Sequence, residues 1–249
     1  MKVSIITVCY NSASTIDDTI QSILSQDYED IEYLIIDGVS SDNTLEIANK
    51  YSAKIAIIRS EPDKGMYDAI NKGIQLCTGD IVGILNADDI YIDNKVIEEV
   101  VSKMRNKKAD SLYSDLYYVA ADDTNKVIRN WVSGKYNRQK FLYGWMPPHP
   151  TFFVKKSAYE KYGVFNLDLN SAADYELMLR FLFKNKLSTC YLSRPLVRMR
   201  VGGMSNVSLA NRIKANKEDR KAWRMNGLRP RPYTMLLKPL RKIIQYVKK

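Results

Sequence analysis

The sequence predicts an α/β protein built on a mostly parallel sheet flanked by helices, with a small antiparallel extension. Three observations predict it. Val- and Ile-rich runs of strand length recur near Val3–Tyr10, Tyr33–Asp37, Lys54–Ser60 and Asp80–Asp89, with stretches of helical spacing between them. The runs alternate little between apolar and polar, as in strands covered on both faces. Each run also ends in a polar, mostly acidic cluster, where open sheets of this kind bind ligands.

Taken in order, "VSIITVCY" is a first core strand. A helix follows, because Ser14-Thr15-Ile16-Asp17 has capping-box character and Ile16, Ile20, Ile23 and Leu24 recur at helical spacing. "YLIID" is a second strand and "SSDNTLEIANKY" a second helix; "KIAIIRS" and "GMYDAINKGIQLC" form the third pair, and "DIVGILNADD" is the fourth strand. Strand and helix alternating at this spacing imply right-handed crossovers. Beyond Asp93 a helix runs to about Lys107, and "ADSLYSDLYYVA" with "KVIRNWVS" reads as an antiparallel pair. Gly134 to Thr151 has no period and is expected to be an ordered loop region. Helices at "SAYEKYG" and "SAADYELMLRFLFKN" and a strand at "LSTCYLSRPLVRMRV" complete the compact part.

With 249 residues, 45% hydrophobic and 27% charged, the chain is a globular protein able to bury a substantial core. No apolar run approaches the roughly 20 residues that span a bilayer, and the first strand lacks the flanks of a signal peptide. A cytoplasmic location is expected. Cys9, Cys77 and Cys190 are odd in number and set among apolar neighbours, which suits inert core thiols.

The net charge of +10 is confined to one end. From Asn211 to Lys249 there are 13 Lys and Arg against 2 Asp and Glu, whereas the preceding residues carry 25 against 26. The expected organisation is a domain over 1–205 and a basic helical tail over 206–249. An anionic partner suits the tail, either a membrane surface or a nucleic acid. Confinement of the charge to the tail counts against a nucleic-acid groove. Met235, Leu236, Leu237, Leu240, Ile243, Ile244 and Val247 can share one face of a helix kinked at Pro239, either as an interfacial anchor or packed on the domain.

Four strand ends bring Asp37, Asp42, Glu61, Asp63, Asp88 and Asp89 toward one rim. That rim repels itself without a cation or a donor-rich ligand. Asp42 reads as turn chemistry near a helix start.

The pieces "SIITVCYNSASTIDDTIQSILSQ", "YLIIDGVSSDNT", "EPDKGMYDAINKGI", "GDIVGILNADD" and "ADYELMLR" occur in one order over about residues 1 to 205. In that order they resemble the inverting family 2 glycosyltransferases of GT-A fold, of the kind that build capsule, lipopolysaccharide and other cell-surface polysaccharide. The resemblance implies a nucleotide diphosphate sugar donor and a saccharide acceptor, which the basic tail suggests is lipid-linked. It also implies Mg²⁺ or Mn²⁺ as cofactor. Residue by residue, it places Asp37 against the nucleobase, with the backbone of Val8 and Tyr10, and Asn11 beside them, around the base and ribose. Asp63 faces the nucleoside, and Lys64 and Gly65 allow close approach. In "NADD", Asp89 would coordinate the metal and Asp88 would hold the ribose or a metal-bound water. A helix N-terminal turn at "DDIYIDN" is the alternative.

Asp174 falls on the position of the general base that takes the acceptor proton, with Glu176 as fallback. The residue before it, often Glu in the family, is Ala173 here. His149, the only histidine, would ligate metal or hydrogen-bond phosphate. Trp145 and Met146 would form an acceptor platform or pack in the core. Arg200 or Arg198 would neutralise phosphate or edge a strand, and "VGGMS" would close over the donor. Two rival readings are a sugar nucleotidyltransferase, which lacks support because no Gly-rich basic loop follows the first strand, and a noncatalytic nucleotide or polysaccharide binder.

Overall fold

The computed structural model describes residues 1–202 and 209–247, the latter as backbone only over 209–214 and 242–247. Four parallel strands form one half of the sheet: β1 (Val3–Cys9), β2 (Ile31–Asp37), β3 (Ile57–Ser60) and β4 (Ile81–Ile84). Helices α1 (Ile16–Leu24), α2 (Thr44–Asn49) and α3 (Met66–Leu76) connect them. A short strand β5 (Asp89–Tyr91) precedes α4 (Val96–Lys107), and β6 (Ser111–Val119) pairs with β7 (Val127–Trp131) as the expected antiparallel ribbon. Then come β8 (Phe153–Lys155), α5 (Lys156–Tyr162), α6 (Ala173–Met178) with a π-helical continuation over Leu179–Lys184, and β9 (Thr189–Arg200). The order across the sheet is β3-β2-β1-β4-β8-β6-β9-β5, with β7 on β6.

Every residue of β1 is buried, and its alternate side chains feed two cores. Ile6 and Val8 join Leu34, Ile36, Val82 and the α3 residues Ile70 and Ile74 on one face. Val3, Ile5 and Cys9 join Tyr33, Ile35, Ile81 and the apolar stripes of α1 and α4 on the other. A strand covered on both faces has no solvent-facing positions, which is why its sequence shows no regular polar alternation; its two polar residues, Ser4 and Thr7, are themselves fully buried. Gly83 in β4 is required for space, since a methyl carbon there would fall 2.5 Å from Cε1 of Phe153. The three cysteines are buried free thiols, as expected.

One local expectation fails and one alternative reading falls away. Thr15 forms no side-chain cap on α1; its hydroxyl instead donates to the Ser12 carbonyl, which also accepts the Thr15 and Ile16 amides. "DDIY" is not a helix start either. Asp89 opens β5, which pairs antiparallel with β9 in the register Asp89↔Met199, so the two carboxylates do not begin a helix of their own.

The tail is helical and packed. α7 (Leu209–Met225) and α8 (Thr234–Val247) close over α6, with Trp223 fully buried in the same core as Tyr175 and Phe141. Trp223 Nε1 donates to the Tyr175 hydroxyl (3.0 Å), and Lys238 reaches the buried Asp219 (2.6 Å). Leu236 and Leu240 remain 68% and 52% exposed; the side chains of Ile243, Ile244 and Val247 lie outside the described residues. Among the described residues no helix is long and apolar enough to cross a membrane.

Candidate functional site

The carboxyl ends of β1, β2 and β3 form one corner of the rim, because parallel register sets Cys9 beside Asp37 and Asp37 beside Ser60. Asp37 is completely buried there. It accepts from the Ser40 amide (3.0 Å) and the Ser60 hydroxyl (2.7 Å), so its carboxylate organises the loop and presents no surface. Asp42 accepts from the Ala13 and Thr44 amides, both at 3.0 Å, which is the turn role expected of it.

Asp63, in contrast, reaches the surface. A methyl carbon at Gly38 would fall 2.5 Å from Asp63 Oδ2 and 3.5 Å from Cδ2 of Tyr10, so the absent side chain lets carboxylate and ring close over the backbone. Tyr10 is 65% exposed. An exposed ring beside a free carboxylate oxygen offers a stacking face and an acceptor. The other Asp63 oxygen accepts from the Gly65 amide (2.7 Å). Lys64 is exposed, Val8 offers only its backbone because its side chain is in the core, and Asn11 holds the neighbouring loop by accepting from the Ser41 amide (2.8 Å).

The loop carries strain. Val39 has φ +64° and Asn11 φ +49°, and a β-branched residue in the left-handed region is an outlier. Val39→Gly is expected to raise stability by about 1 kcal/mol, the relieved strain being partly offset by glycine's unfolded-state entropy. A denaturation midpoint measured by circular dichroism checks it; an unchanged or lowered midpoint contradicts it.

At the end of β4 the two aspartates differ. Asp89 is wholly buried, with one oxygen receiving Asn86 Nδ2 (3.2 Å) and the other, Oδ1, without a hydrogen-bond partner. Burial pushes its carboxyl well above the usual range; Asp88 adds to the shift, and Asn86 and Arg200 oppose it. Asp88 is half-buried and its carboxyl is also pushed up by burial, against its own backbone and Arg200. The expectation put Asp89 at the metal and Asp88 at the ribose, but only Asp88 has accessible surface. Arg200 is 8% exposed and committed: it donates to the Asp88 carbonyl (2.8 Å) and to the Asp18 carboxylate. It holds the turn in place, and its charge is spent on Asp18 instead of on a phosphate. Arg198 donates to Asn125 (3.0 Å). The oxygens at this turn are hard donors suited to Mg²⁺ or Mn²⁺, which one or two carboxylates plus a phosphate can hold. The partnerless Asp89 oxygen beneath them fits a site completed by a cation. Among the described residues no three of His, Cys, Asp and Glu converge as a closed metal cluster.

Asp174 is half-buried in the first turn of α6. Its Oδ1 accepts from the Tyr175 amide (2.7 Å) and the Tyr67 hydroxyl (3.4 Å). Tyr67 stacks on Phe165 (5.5 Å between centroids), and His149 packs edge-on against the same ring (5.4 Å). Burial lowers the His149 imidazole below its ordinary range, opposed by the Asp174 charge, so the ring is neutral at pH 7. His149 therefore belongs to the Asp174 cluster.

A glycosyl transferase family 2 profile matches residues 4–163, well over half of the chain. The chain belongs to glycosyl transferase family 2. This family 2 chain is 32% identical over 180 residues to an uncharacterized glycosyltransferase of Mycobacterium tuberculosis, covering 72% of this chain and 68% of that protein. It is 29% identical over 208 residues to a PGL/p-HBAD biosynthesis glycosyltransferase of Mycobacterium bovis, covering 82% and 78%. Staphylococcus aureus TarS 1-349, solved with UDP-GlcNAc, superposes with TM-score 0.73 at 18% identity over 91% of this chain and 65% of that one. A Pyrobaculum calidifontis mannosyltransferase, solved with GDP-Man and Mn²⁺, gives TM-score 0.66 at 18% identity over 98% and 69%. These likenesses establish the GT-A fold. The chain spans 37% of the longer TarS chain.

Within this glycosyltransferase two further expectations change. Trp145 is 5% exposed, donates Nε1 to the Ser133 carbonyl (3.0 Å) and packs edge-on to Phe141, so it is core and not an acceptor platform. Glu176 is buried in a two-bond ion pair with Arg180 and also receives Asn226, which removes the fallback base. Gly203 to Ser205 of "VGGMS" lie outside the described residues. Gly38, Val39 and Asp18 were missed; Gly38 was legible only as the small residue following "IID".

Proposed function

We propose that this glycosyltransferase moves a sugar from a nucleotide diphosphate donor to a hydroxyl of a saccharide acceptor, with inversion at the anomeric carbon. The observation that carries the reading is the rim itself. An exposed ring and carboxylate at Tyr10 and Asp63 stand at one strand end, an acidic turn with a partnerless buried oxygen at the next, and a half-buried carboxylate at Asp174 on the helix beyond. The first fits a nucleoside, with Asp63 taking over from Asp37 as the acceptor for a base N–H. At the second, Asp88 would hold Mg²⁺ or Mn²⁺, and Asp89 would sit beneath it. When bound, the cation supplies charge neutralisation for the departing diphosphate.

This chain's own residues do the rest. Asp174 accepts the acceptor hydroxyl proton as the oxygen attacks, on the face away from the leaving group. Tyr67 and the Tyr175 amide aim that carboxylate by donating to Oδ1, which leaves Oδ2 for the proton. Neutral His149 keeps the pocket wall uncharged and shares Phe165 with Tyr67. The basic segment from Asn211 to Lys249 supports a lipid-linked acceptor in cell-surface polysaccharide assembly. The exposed Leu236 and Leu240 of α8, with Arg241 nearby, support contact with the cytoplasmic membrane face.

The test is a panel of nucleotide sugars assayed for nucleoside diphosphate release. One donor is expected to turn over with Mn²⁺ and not with EDTA, and Asp88→Asn is expected to lower that rate by about a hundredfold or more. Equal rates with EDTA would contradict the metal assignment. A noncatalytic binder would release nothing.

A further inference from the structure

Three cations on α7 stand on one helix face at spacings of four and three: Lys217, Lys221 and Arg224. With Glu218 they line a shallow, solvent-open groove along that one face of α7. Lys217 and Arg224 are exposed and have no carboxylate partner among the described residues. Lys221 gives its ammonium to a backbone carbonyl, that of Asp168 (2.7 Å), which does not neutralise it. The one acid of the groove, Glu218, is turned toward Ser171, whose amide (2.7 Å) and hydroxyl (2.8 Å) donate to its Oε2; its charge leaves the three cations and one carboxylate a net +2.

Those same contacts fix where the groove lies. Asp168 and Ser171 belong to the segment that runs into α6, and Asp174 is three residues beyond Ser171. The Glu218 charge also raises the Tyr67 hydroxyl, though less than burial and Asp174 do, and Tyr67 touches Asp174. The groove thus borders the carboxylate assigned to the acceptor proton and is built from the chain's most basic segment. Clustered cations on one helix face recognise phosphate oxygens, with arginine as a fork and lysine as a point charge.

We infer that the groove of Lys217, Lys221 and Arg224 is an anion site that takes a phosphate or diphosphate ester on the acceptor and presents the acceptor to Asp174. The inference rests on the acceptor assignment above, and deepens it: the acceptor is an anionic, phosphate-bearing saccharide. A polyprenyl diphosphate saccharide and a polymer with phosphate in its repeat share this chemistry.

The experiment titrates the full chain calorimetrically with inorganic pyrophosphate and with hexyl diphosphate, both in EDTA, so that no metal-linked donor site contributes. The wild type is expected to bind at least one probe, with affinity falling as salt is raised. Lys217→Gln/Arg224→Gln, which leaves the Lys221 bond to Asp168 intact, is expected to weaken it at least tenfold, and adding Lys221→Gln to abolish it. UDP or GDP binding with Mn²⁺ stays unchanged in both variants and serves as the folding control. Equal affinity in wild type and variants, or no binding by the wild type, overturns the groove. Loss of nucleotide binding by every protein, with groove-dependent diphosphate binding retained, would instead overturn the donor assignment and leave the anion site standing.

Discussion

Asp174→Asn is expected to lower sugar transfer by roughly a hundredfold to ten-thousandfold while leaving donor binding within about twofold. Asparagine keeps the acceptor oxygen used by the Tyr175 amide and the Tyr67 hydroxyl, so the geometry of the first turn of α6 survives. What is lost is the ability to take a proton. The effect therefore belongs in the chemical step and not in nucleotide affinity. Single-turnover transfer, together with a nucleotide titration, separates the two, and full transfer by the variant would remove Asp174 from the role. Tyr67→Phe is the milder companion: it removes one long hydrogen bond to Asp174 Oδ1, so a loss below about tenfold in the chemical step is expected, with the Phe165 stack kept.

The second large effect is on stability. Glu176, two residues from Asp174, is buried and held by Arg180 through Nε (3.0 Å) and Nη2 (2.8 Å). The same guanidinium satisfies the carbonyls of Tyr162 (2.5 Å) and Val164 (2.8 Å), tying α5 and the loop after it to α6. Arg180→Ala leaves a buried carboxylate without its cation, and removing one partner of a buried pair costs about 3–5 kcal/mol. For a chain of this size that lowers the melting temperature by roughly 6–20 °C. Glu176→Leu/Arg180→Leu is expected to recover part of the loss, because no charge is then stranded; the two carbonyls still lack their donor. Calorimetric melting of the three proteins decides this, and a single variant as stable as the wild type would contradict the assignment of the pair.

Much of the fold was legible because parallel strands covered on both faces are mostly apolar, and short Val- and Ile-rich runs alternating with stretches of helical spacing read as such strands. Three acidic strand ends, at Asp37, Glu61 and Asp88, were legible for a related reason, since the change from Val and Ile to acidic residues marks where a strand leaves the core. What the pattern did not carry was depth. Asp37 and Asp89 look as exposed in sequence as Asp63 and Asp88, and only the three-dimensional packing puts the first two inside and the second two at the surface. Trp145 had the same ambiguity, because a large ring that stacks on a sugar and one that fills a core are written with the same letter. The tail carried a different ambiguity, anchor or packed helix. Its charge stood out, whereas the residues that bind it to the domain, Glu218, Trp223 and Asn226, are scattered singly among the basic ones and pair with partners some 50 positions away.

The central claim is that the acidic rim is a metal-assisted nucleotide diphosphate site. Its most direct test is a calorimetric titration of the protein with UDP and with GDP, each in Mn²⁺ and in EDTA. One of the two nucleotides is expected to bind at least tenfold more tightly with Mn²⁺, and that gain is expected to vanish in Asp88→Asn. Binding of both nucleotides that is the same in Mn²⁺ and in EDTA, or a gain that persists in Asp88→Asn, would contradict it.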